Sequence, residues 1–82
     1  MKFYLITDDV DTSVGLRLAG VESKVLTDLT QGAQAIDDAL RDDGIGILMV
    51  SHRVAAAYRD RIEEIRFSRS LPLIVTLPDR KE

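Results

Sequence analysis

Side chains that could do chemistry follow two apolar runs of the sequence. The first run covers residues 3–6 and the second covers residues 45–50. The polar side chains that follow them are Asp8, Asp9, Asp11, Ser51 and His52. Paired carboxylates can hold Mg²⁺, and a hydroxyl near an imidazole can act as a nucleophile. Either chemistry requires the fold to bring these groups together.

Four short apolar segments predict the strands that position these groups. Residues 3–6 and 45–50 carry no charge, which is typical of strands buried on both faces of a parallel sheet. Residues 24–27 form a brief second strand, and residues 73–77, between two prolines, form the last one. The run at 45–50 is the most apolar, so we expect it to be the central strand.

The first two predicted helices lie between these strands. Residues 12–19 carry Val14 and Leu18 one turn apart, with N-cap oxygens at residues 11–13 and a left-handed stop at Gly20. Thr30 is the predicted cap of the second helix, and Gly44 is its predicted C-terminal cap. The apolar positions of this second helix are Ala33, Ile36 and Leu40.

The third predicted helix spans residues 54–67 without interruption. Its apolar stripe consists of Val54, Tyr58, Ile62 and Ile65. Charged residues of both signs occupy the remaining positions, which is typical of a helix with one face in solvent.

Alternation of strands and helices predicts one α/β domain over residues 1–78. Right-handed crossovers between parallel strands give a small, open, Rossmann-like domain with three helices. We expect the flavodoxin-like strand order 2-1-3-4. A ligand of such a sheet binds beyond the C-terminal ends of strands 1 and 3, where the strand order changes direction. The polar residues named above follow these two strands.

These polar residues complete none of the sites that such a fold supports. Asp8 and Asp9 resemble the magnesium pair of a receiver domain, but Ser51-His52 stands where the phosphoacceptor aspartate belongs. The loop after strand 1 has no glycine with which to approach a phosphate. With one histidine and no cysteine, the sequence has no metal-ligand cluster. We predict no catalytic, cofactor-binding or metal-binding residues, and helix capping as the role of the carboxylates.

Composition excludes further classes of function. The 82 residues have a formal net charge of −3, so the chain lacks the basic field that nucleic acid or anionic lipid would require. No apolar run approaches the ~20 residues of a membrane span. The absence of cysteine from the sequence fits a reducing compartment. We therefore expect a cytoplasmic protein that binds no nucleic acid and inserts no segment into a membrane.

Five stretches of sequence carry a family resemblance over nearly the whole chain. They are residues 6–12, 15–22, 44–50, 62–65 and 71–80. The phrases Gly-Leu-Arg-Leu-Ala-Gly-Val and Pro-Leu-Ile-Val-Thr-Leu-Pro are the most distinctive, and together the stretches resemble the F subunit of the V-type and A-type rotary ATPases. The chain has Ser51-His52 where this family usually has Thr-Glu. Residues 79–82 look like the start of a tail whose usual C-terminal helix is absent.

The resemblance implies a rotor component without catalytic activity of its own. Such a component belongs to the central stalk, binds the coiled coil of the D subunit, and helps couple the A3B3 catalytic head to transport of protons or sodium ions. It is held at the membrane only through the complex. Two other interpretations remain open from the residues themselves, namely a degenerate receiver-like signalling domain and a small-ligand-binding α/β module.

The predicted partner-binding surface lies at strand 2 and the adjoining end of helix 1. Strand 2 is expected at an edge of the sheet, where unpaired backbone groups and apolar side chains are open to a partner. The residues predicted to contact the partner are Arg17, Val21, Lys24 and Val25.

Overall fold

The computed structural model describes residues 1–78, and the predicted tail at 79–82 lies outside the described residues. Its strands are β1 (Lys2–Thr7), β2 (Glu22–Val25), β3 (Ile45–Val50) and β4 (Leu73–Thr76). Its helices are α1 (Val10–Arg17), α2 (Gly32–Leu40), α3 (His52–Ala57) and α4 (Arg59–Ser68), and a 3-10 turn (Leu29–Gln31) precedes α2.

The four strands form one parallel sheet in the order β2-β1-β3-β4. The predicted α/β class, parallel sheet and strand order are therefore confirmed. The two apolar runs are the two inner strands, with Ile6 of β1 beside Val50 of β3 and Val50 beside Thr76 of β4. β2 begins two residues earlier than predicted and lies at an edge, as expected.

The main core lies between one face of the sheet and three helices. Side chains alternate between the two faces of a strand, so every second residue of β1, β3 and β4 points into this core. The sheet contributes Ile6, Leu48, Val50 and Ile74, and the helices contribute Ile36, Val54, Ile62 and Ile65. All eight are buried. α2, α3 and α4 thus cover this face.

Within residues 1–78, the opposite face of the sheet carries a single helix. α1 lies over β1 and β2, where Leu5 is fully buried and the hydroxyls of Ser13 and Ser23 are hydrogen-bonded. The prediction that Val14 and Leu18 form the apolar face of this helix is wrong, since both are exposed. The packed face of α1 instead contains Ser13, because the small Ser23 of β2 lies opposite it and their hydroxyls are hydrogen-bonded.

The ends of the first two helices also differ from the predicted ones. Asp9, not residues 11–13, caps α1, whereas Gly20 does adopt the predicted left-handed conformation with φ 86°. Asp28 replaces Thr30 as the cap ahead of α2, and Gln31 completes a reciprocal capping box with it. Each structural cap is an aspartate that lies two residues or more before the predicted one.

The buried face of α2 and its C-terminal end differ from the predicted ones as well. Its buried positions are Gly32, Ala35, Ile36 and Ala39. Ala33 is exposed, so of the three predicted apolar positions Ile36 alone is fully buried. The cap at the C-terminal end of α2 is Arg41 rather than Gly44, because the chain needs a further turn to reach β3.

The third predicted helix is interrupted at Tyr58. This residue has φ −120° and ψ 33°, so α3 ends before it and α4 begins after it. The Tyr58 hydroxyl donates a hydrogen bond to the Leu29 carbonyl, and its ring lies against Gly32 at the start of α2. The prediction of one continuous helix over 54–67 is therefore wrong. The break turns the Tyr58 ring toward the start of α2. The contacts of this ring hold α3 and α4 against that part of the chain.

Candidate partner-binding surface

The polar residues predicted to meet beyond the C-terminal ends of β1 and β3 do lie together there. We call this place, where the strand order changes direction, the switch point. Ser51, at the end of β3, donates a hydrogen bond of 2.8 Å from Oγ to Asp8 Oδ1 across the two inner strands. Arg53 Nη1 lies 3.4 Å from the other oxygen of Asp8. Asp8 is thus paired with a hydroxyl and a cation, and its carboxylate links the start of α3 to the end of β1.

Asp9 uses its carboxylate to begin α1. Its two oxygens accept hydrogen bonds from the Asp11 N–H at 3.0 Å and from the Thr12 hydroxyl at 2.8 Å. The Asp9 N–H in turn donates to Thr7 Oγ1 at 3.0 Å. These are the contacts of a helix N-cap, which satisfy backbone donors that the first turn leaves without partners.

A cleft of about 880 Å³ opens beside these residues, between α1 and the C-terminal ends of β3 and β4. Met49, Leu16 and Leu77 form its apolar lining, and His52 lies at its rim with an exposed side chain. Among residues 1–78, no three histidine, cysteine, aspartate or glutamate side chains converge as metal ligands. The resemblance to a receiver domain fails here as it does in the sequence. Ser51 stands directly after β3, where a receiver domain has its phosphoacceptor aspartate.

At the opposite end of the sheet, one lysine lies between two carboxylates and links the chain at the starts of β1, β2 and β3. Lys2 Nζ lies 2.9 Å from Asp42 Oδ2 and 3.2 Å from Glu22 Oε1. Hydrogen bonds from Lys2 and from the Gly44 N–H lower the pKa of Asp42, and the bonds to Asp42 and Glu22 raise the pKa of Lys2. All three charged side chains are exposed, so these pairs position strands and contribute little stability.

Apolar side chains line the sheet face that α1 leaves uncovered, and those on β1 and β4 that α1 does not reach are exposed, whereas Met49 on β3 is 9% exposed. We call this surface the open strip, and it consists of Phe3, Ile47, Met49, Leu73 and Val75. The exposed fractions of Leu73, Phe3 and Val75 are 58%, 49% and 44%. Met49 belongs to both the strip and the cleft, so the two form one continuous surface alongside α1. Clustered exposure of this kind is typical of a surface that binds another protein.

The four residues predicted to contact a partner lie along β2 and the C-terminal end of α1, but not all on one face of the sheet. Arg17, in the last turn of α1, and Lys24, on β2, are exposed. Val21 and Val25 are half-buried; the Val21 N–H donates to the Leu16 carbonyl at 3.1 Å. Lys24 is level with Ile6 and therefore turns to the face that α2 covers, whereas Val25 is level with Thr7 and turns to the α1 face. Contact of the four residues with a partner stays a prediction.

Residue-by-residue reading of the sequence missed two sets of exposed apolar side chains. Val10, Val14 and Leu18 form a stripe along α1, at a spacing of four residues, on the flank nearest β2. The spacing of Val14 and Leu18 is visible in the sequence, where it predicts a packed helix face, but both side chains are exposed. The open strip has a different signal in the sequence. Strands that are buried on both faces need helices on both faces of the sheet, and a single predicted helix passes over this face.

No helix among residues 1–78 combines the length and the apolar character that crossing a membrane requires.

Comparison with known proteins gives consistent results. The family model described as ATP synthase (F/14-kDa) subunit matches residues 4–82. The F subunit of the A-type ATP synthase of Methanothermobacter thermautotrophicus is 32% identical over 75 residues, covering 92% of this chain and 71% of the relative. That of Methanosphaera stadtmanae is 29% identical, again over 75 residues, with the same coverage.

A solved structure has the same fold. The F subunit of the V-type ATP synthase of Archaeoglobus fulgidus superimposes with a TM-score of 0.72 at 21% identity, over 93% of this chain and 95% of that one. The family match over almost the whole chain agrees with the parallel 2-1-3-4 sheet and with the resemblance in sequence. The chain therefore belongs to the ATP synthase (F/14-kDa) subunit family, which comprises the F subunits of V-type and A-type ATP synthases.

Proposed function

We propose that this chain is a non-catalytic part of the rotating central stalk of a V/A-type ATPase. In this role it binds the coiled coil of the D subunit and helps couple ATP hydrolysis or synthesis in the A3B3 catalytic head to movement of protons or sodium ions. It acts in the cytoplasm and is peripheral to the membrane through the complex. Membership of the F-subunit family supports this proposal.

The observation that carries the proposal is how the polar groups of the switch point are used. Asp8 bonds to Ser51 and Arg53, and Asp9 caps α1, so both carboxylates hold elements of the domain together. A stalk component needs a rigid body of this kind and a surface complementary to its partner. The surfaces around α1 supply the second requirement, because they expose apolar side chains on both sides of the helix.

We place the first contact with the D subunit at the edge formed by β2 and the end of α1. The outer backbone groups of this edge strand are open to a partner, and Val21 and Val25 add apolar area beside them. Arg17, at the end of α1, and Lys24, on the opposite face of β2, place two positive charges along this edge, where they can pair with acidic side chains of a partner. The exposed stripe of α1 extends this surface.

Calorimetric titration of the chain with its cognate D subunit tests the proposal. We expect a one-to-one complex that nucleotides, flavins and Mg²⁺ leave unchanged. Lys24→Glu reverses an exposed charge without affecting the core, and Val25→Asp places a charge at the edge, so both should weaken binding. Phe67→Asp is the matched control, because Phe67 is 96% exposed on α4, which lies against the sheet edge opposite β2.

Absence of any complex between the wild-type chain and the D subunit would refute the stalk assignment. A complex that is weakened equally by Phe67→Asp and by the edge variants would leave the assignment intact but would refute the choice of the β2 edge. Circular dichroism of each variant shows that it is folded, so that loss of binding is not loss of structure.

A further inference from the structure

The open strip carries no charge on any of its side chains. Along β1, β3 and β4, the residues that point to this side of the sheet are apolar, apart from the buried Thr7. The single charged residue of these three strands, Lys2, alternates to the other side and is paired there. A surface of this composition gains by burial against apolar side chains and offers nothing with which to pair a charge.

The dimensions of the strip fit one α-helix. The three strands that form it are separated by two strand spacings, about 10 Å in total, which matches the diameter of a helix with side chains. β4 has four residues, and a strand of that length covers about 13 Å, which is the rise of about nine helical residues. α1 stands on the β1–β2 side of the strip as a parallel flanking wall. The strip therefore lies where a doubly covered parallel sheet would have its next helix.

A second copy of this chain fits the strip poorly. Its exposed apolar area is on the order of a few hundred Å², whereas a stable dimer buries about 800 Å² on each partner. A single helix, in contrast, can enter beside α1 and reach the apolar part of the cleft at Met49, Leu16 and Leu77. The rest of the cleft is polar, with Asp8, Asp9 and Arg53 in its lining, so only its apolar part extends the strip.

We propose that the open strip binds one amphipathic helix of the partner coiled coil, seated beside α1 against Leu73, Val75 and Phe3. This inference rests on the proposed function for the identity of the coiled coil, and it adds a second contact to the one at the β2 edge. The seam between the two helices of a coiled coil is already occupied. The bound helix must therefore carry uncharged apolar residues outside that seam, over about three turns.

Two variants test the inference in titrations with the cognate D subunit. Leu73→Asp places a charge on the most exposed side chain of the strip and should weaken binding by roughly tenfold or more, because an unpaired charge would be buried against apolar side chains of the partner. Phe67→Asp is the control with a comparable change on α4, and it should bind as the wild type does.

A labelling experiment tests the same inference without weakening the contact between the strip and its partner. The sequence contains no cysteine, so Leu73→Cys introduces a unique thiol in the strip and Phe67→Cys a unique thiol outside it. The D subunit should protect the thiol of Leu73→Cys from maleimide and leave that of Phe67→Cys reactive.

The outcomes separate this inference from the proposed function. If the D subunit binds the wild type, but Leu73→Asp binds equally well and the thiol of Leu73→Cys stays reactive, the strip is not the docking surface and the stalk assignment stands. If the wild type does not bind the D subunit, both the stalk assignment and the inference about the strip fail.

Light scattering that shows a dimer dissociated by Leu73→Asp would make a second copy the occupant and overturn the inference. Protection of the thiol before the D subunit is added, in a chain extended by the C-terminal helix of the family, would make that helix the occupant and also overturn it.

Discussion

Replacement of Gly32 by alanine should destabilise the domain, although alanine is the better helix former. Gly32 is buried at the start of α2 with ordinary helical angles, φ −64° and ψ −36°, so its backbone conformation does not require glycine. A Cβ atom there would lie 2.8 Å from Cζ and 2.9 Å from Cδ2 of Tyr58, and closer still to Cε2. The ring would have to move, and its hydroxyl is bonded to the Leu29 carbonyl.

The magnitude follows from three contributions. Forced displacement of a packed side chain costs about 1–3 kcal/mol. Loss of the hydrogen bond between Tyr58 and Leu29 costs about 1 kcal/mol, and the glycine-to-alanine change in a helix returns about 0.5–1 kcal/mol. The net loss for Gly32→Ala is therefore about 1–3.5 kcal/mol, and each kcal/mol lowers Tm by roughly 4–8 °C in a domain of this size.

Gly15→Ala is the matched control. Gly15 lies inside α1, is exposed, and a Cβ atom there would meet nothing within 4 Å. This substitution should stabilise the domain by about 0.5–1 kcal/mol. Urea and thermal unfolding followed by circular dichroism measure both variants. The two replacements are chemically identical, so their opposite signs isolate the contact with Tyr58.

A double-mutant cycle decides the outcome. In the background of Tyr58→Ala the clash is absent, and Gly32→Ala should become neutral or stabilising. The reasoning is refuted if Gly32→Ala in the otherwise wild-type chain unfolds at or above the wild-type midpoint. It is also refuted if the cost of this substitution is the same with and without the Tyr58 ring.

Three further predictions concern the core, a helix cap and the switch point. Leu48→Ala, at a position 1% exposed in the central strand, should cost about 2–5 kcal/mol in urea unfolding, and a cost below about 1 kcal/mol would contradict its burial. Asp28→Ala should lower Tm, because the Asp28 carboxylate accepts the Thr30 N–H at 2.9 Å and this hydrogen bond lowers the pKa of Asp28. A lowered folded-state pKa stabilises the fold above the unfolded value of 3.8 and loses effect as the pH falls through the folded pKa, so the Tm difference between Asp28→Ala and wild type should shrink below pH 3.8. Magnesium with beryllofluoride should leave the amide resonances of the Asp8 region unchanged, since Ser51 holds Asp8 and no aspartate follows β3; a specific shift there would favour the receiver-like interpretation.

The layout of the sheet could be read from the sequence because it depends on short, local patterns. Two uncharged apolar runs are typical of inner strands, and their alternation with helical segments leaves few ways to connect a parallel sheet. The run at Ile45–Val50 became β3 with the predicted bounds. The expectation that Asp8 and Ser51 meet follows from topology in the same way, since parallel strands end at one edge.

Features that depend on distant contacts could not be read in this way. The interruption at Tyr58 is tied to Leu29 and Gly32, which lie far earlier in the chain, and the helical spacing around Tyr58 contains no sign of it. The face that α1 turns to the sheet is likewise set by Ser23 on β2, which pairs with Ser13, while the apolar Val14 and Leu18 are left in solvent.

The sequence determined which residues are apolar enough to form strands and in what order the strands join. Tertiary structure decided which of those apolar residues are covered. Leu73 and Ile74 are adjacent and similarly apolar, yet one is 58% exposed and the other 7%, because within residues 1–78 three helices pass over one face of the sheet and α1 alone over the other. Burial is a property of what lies opposite a side chain, and that is set by the path of each crossover rather than by the residue itself.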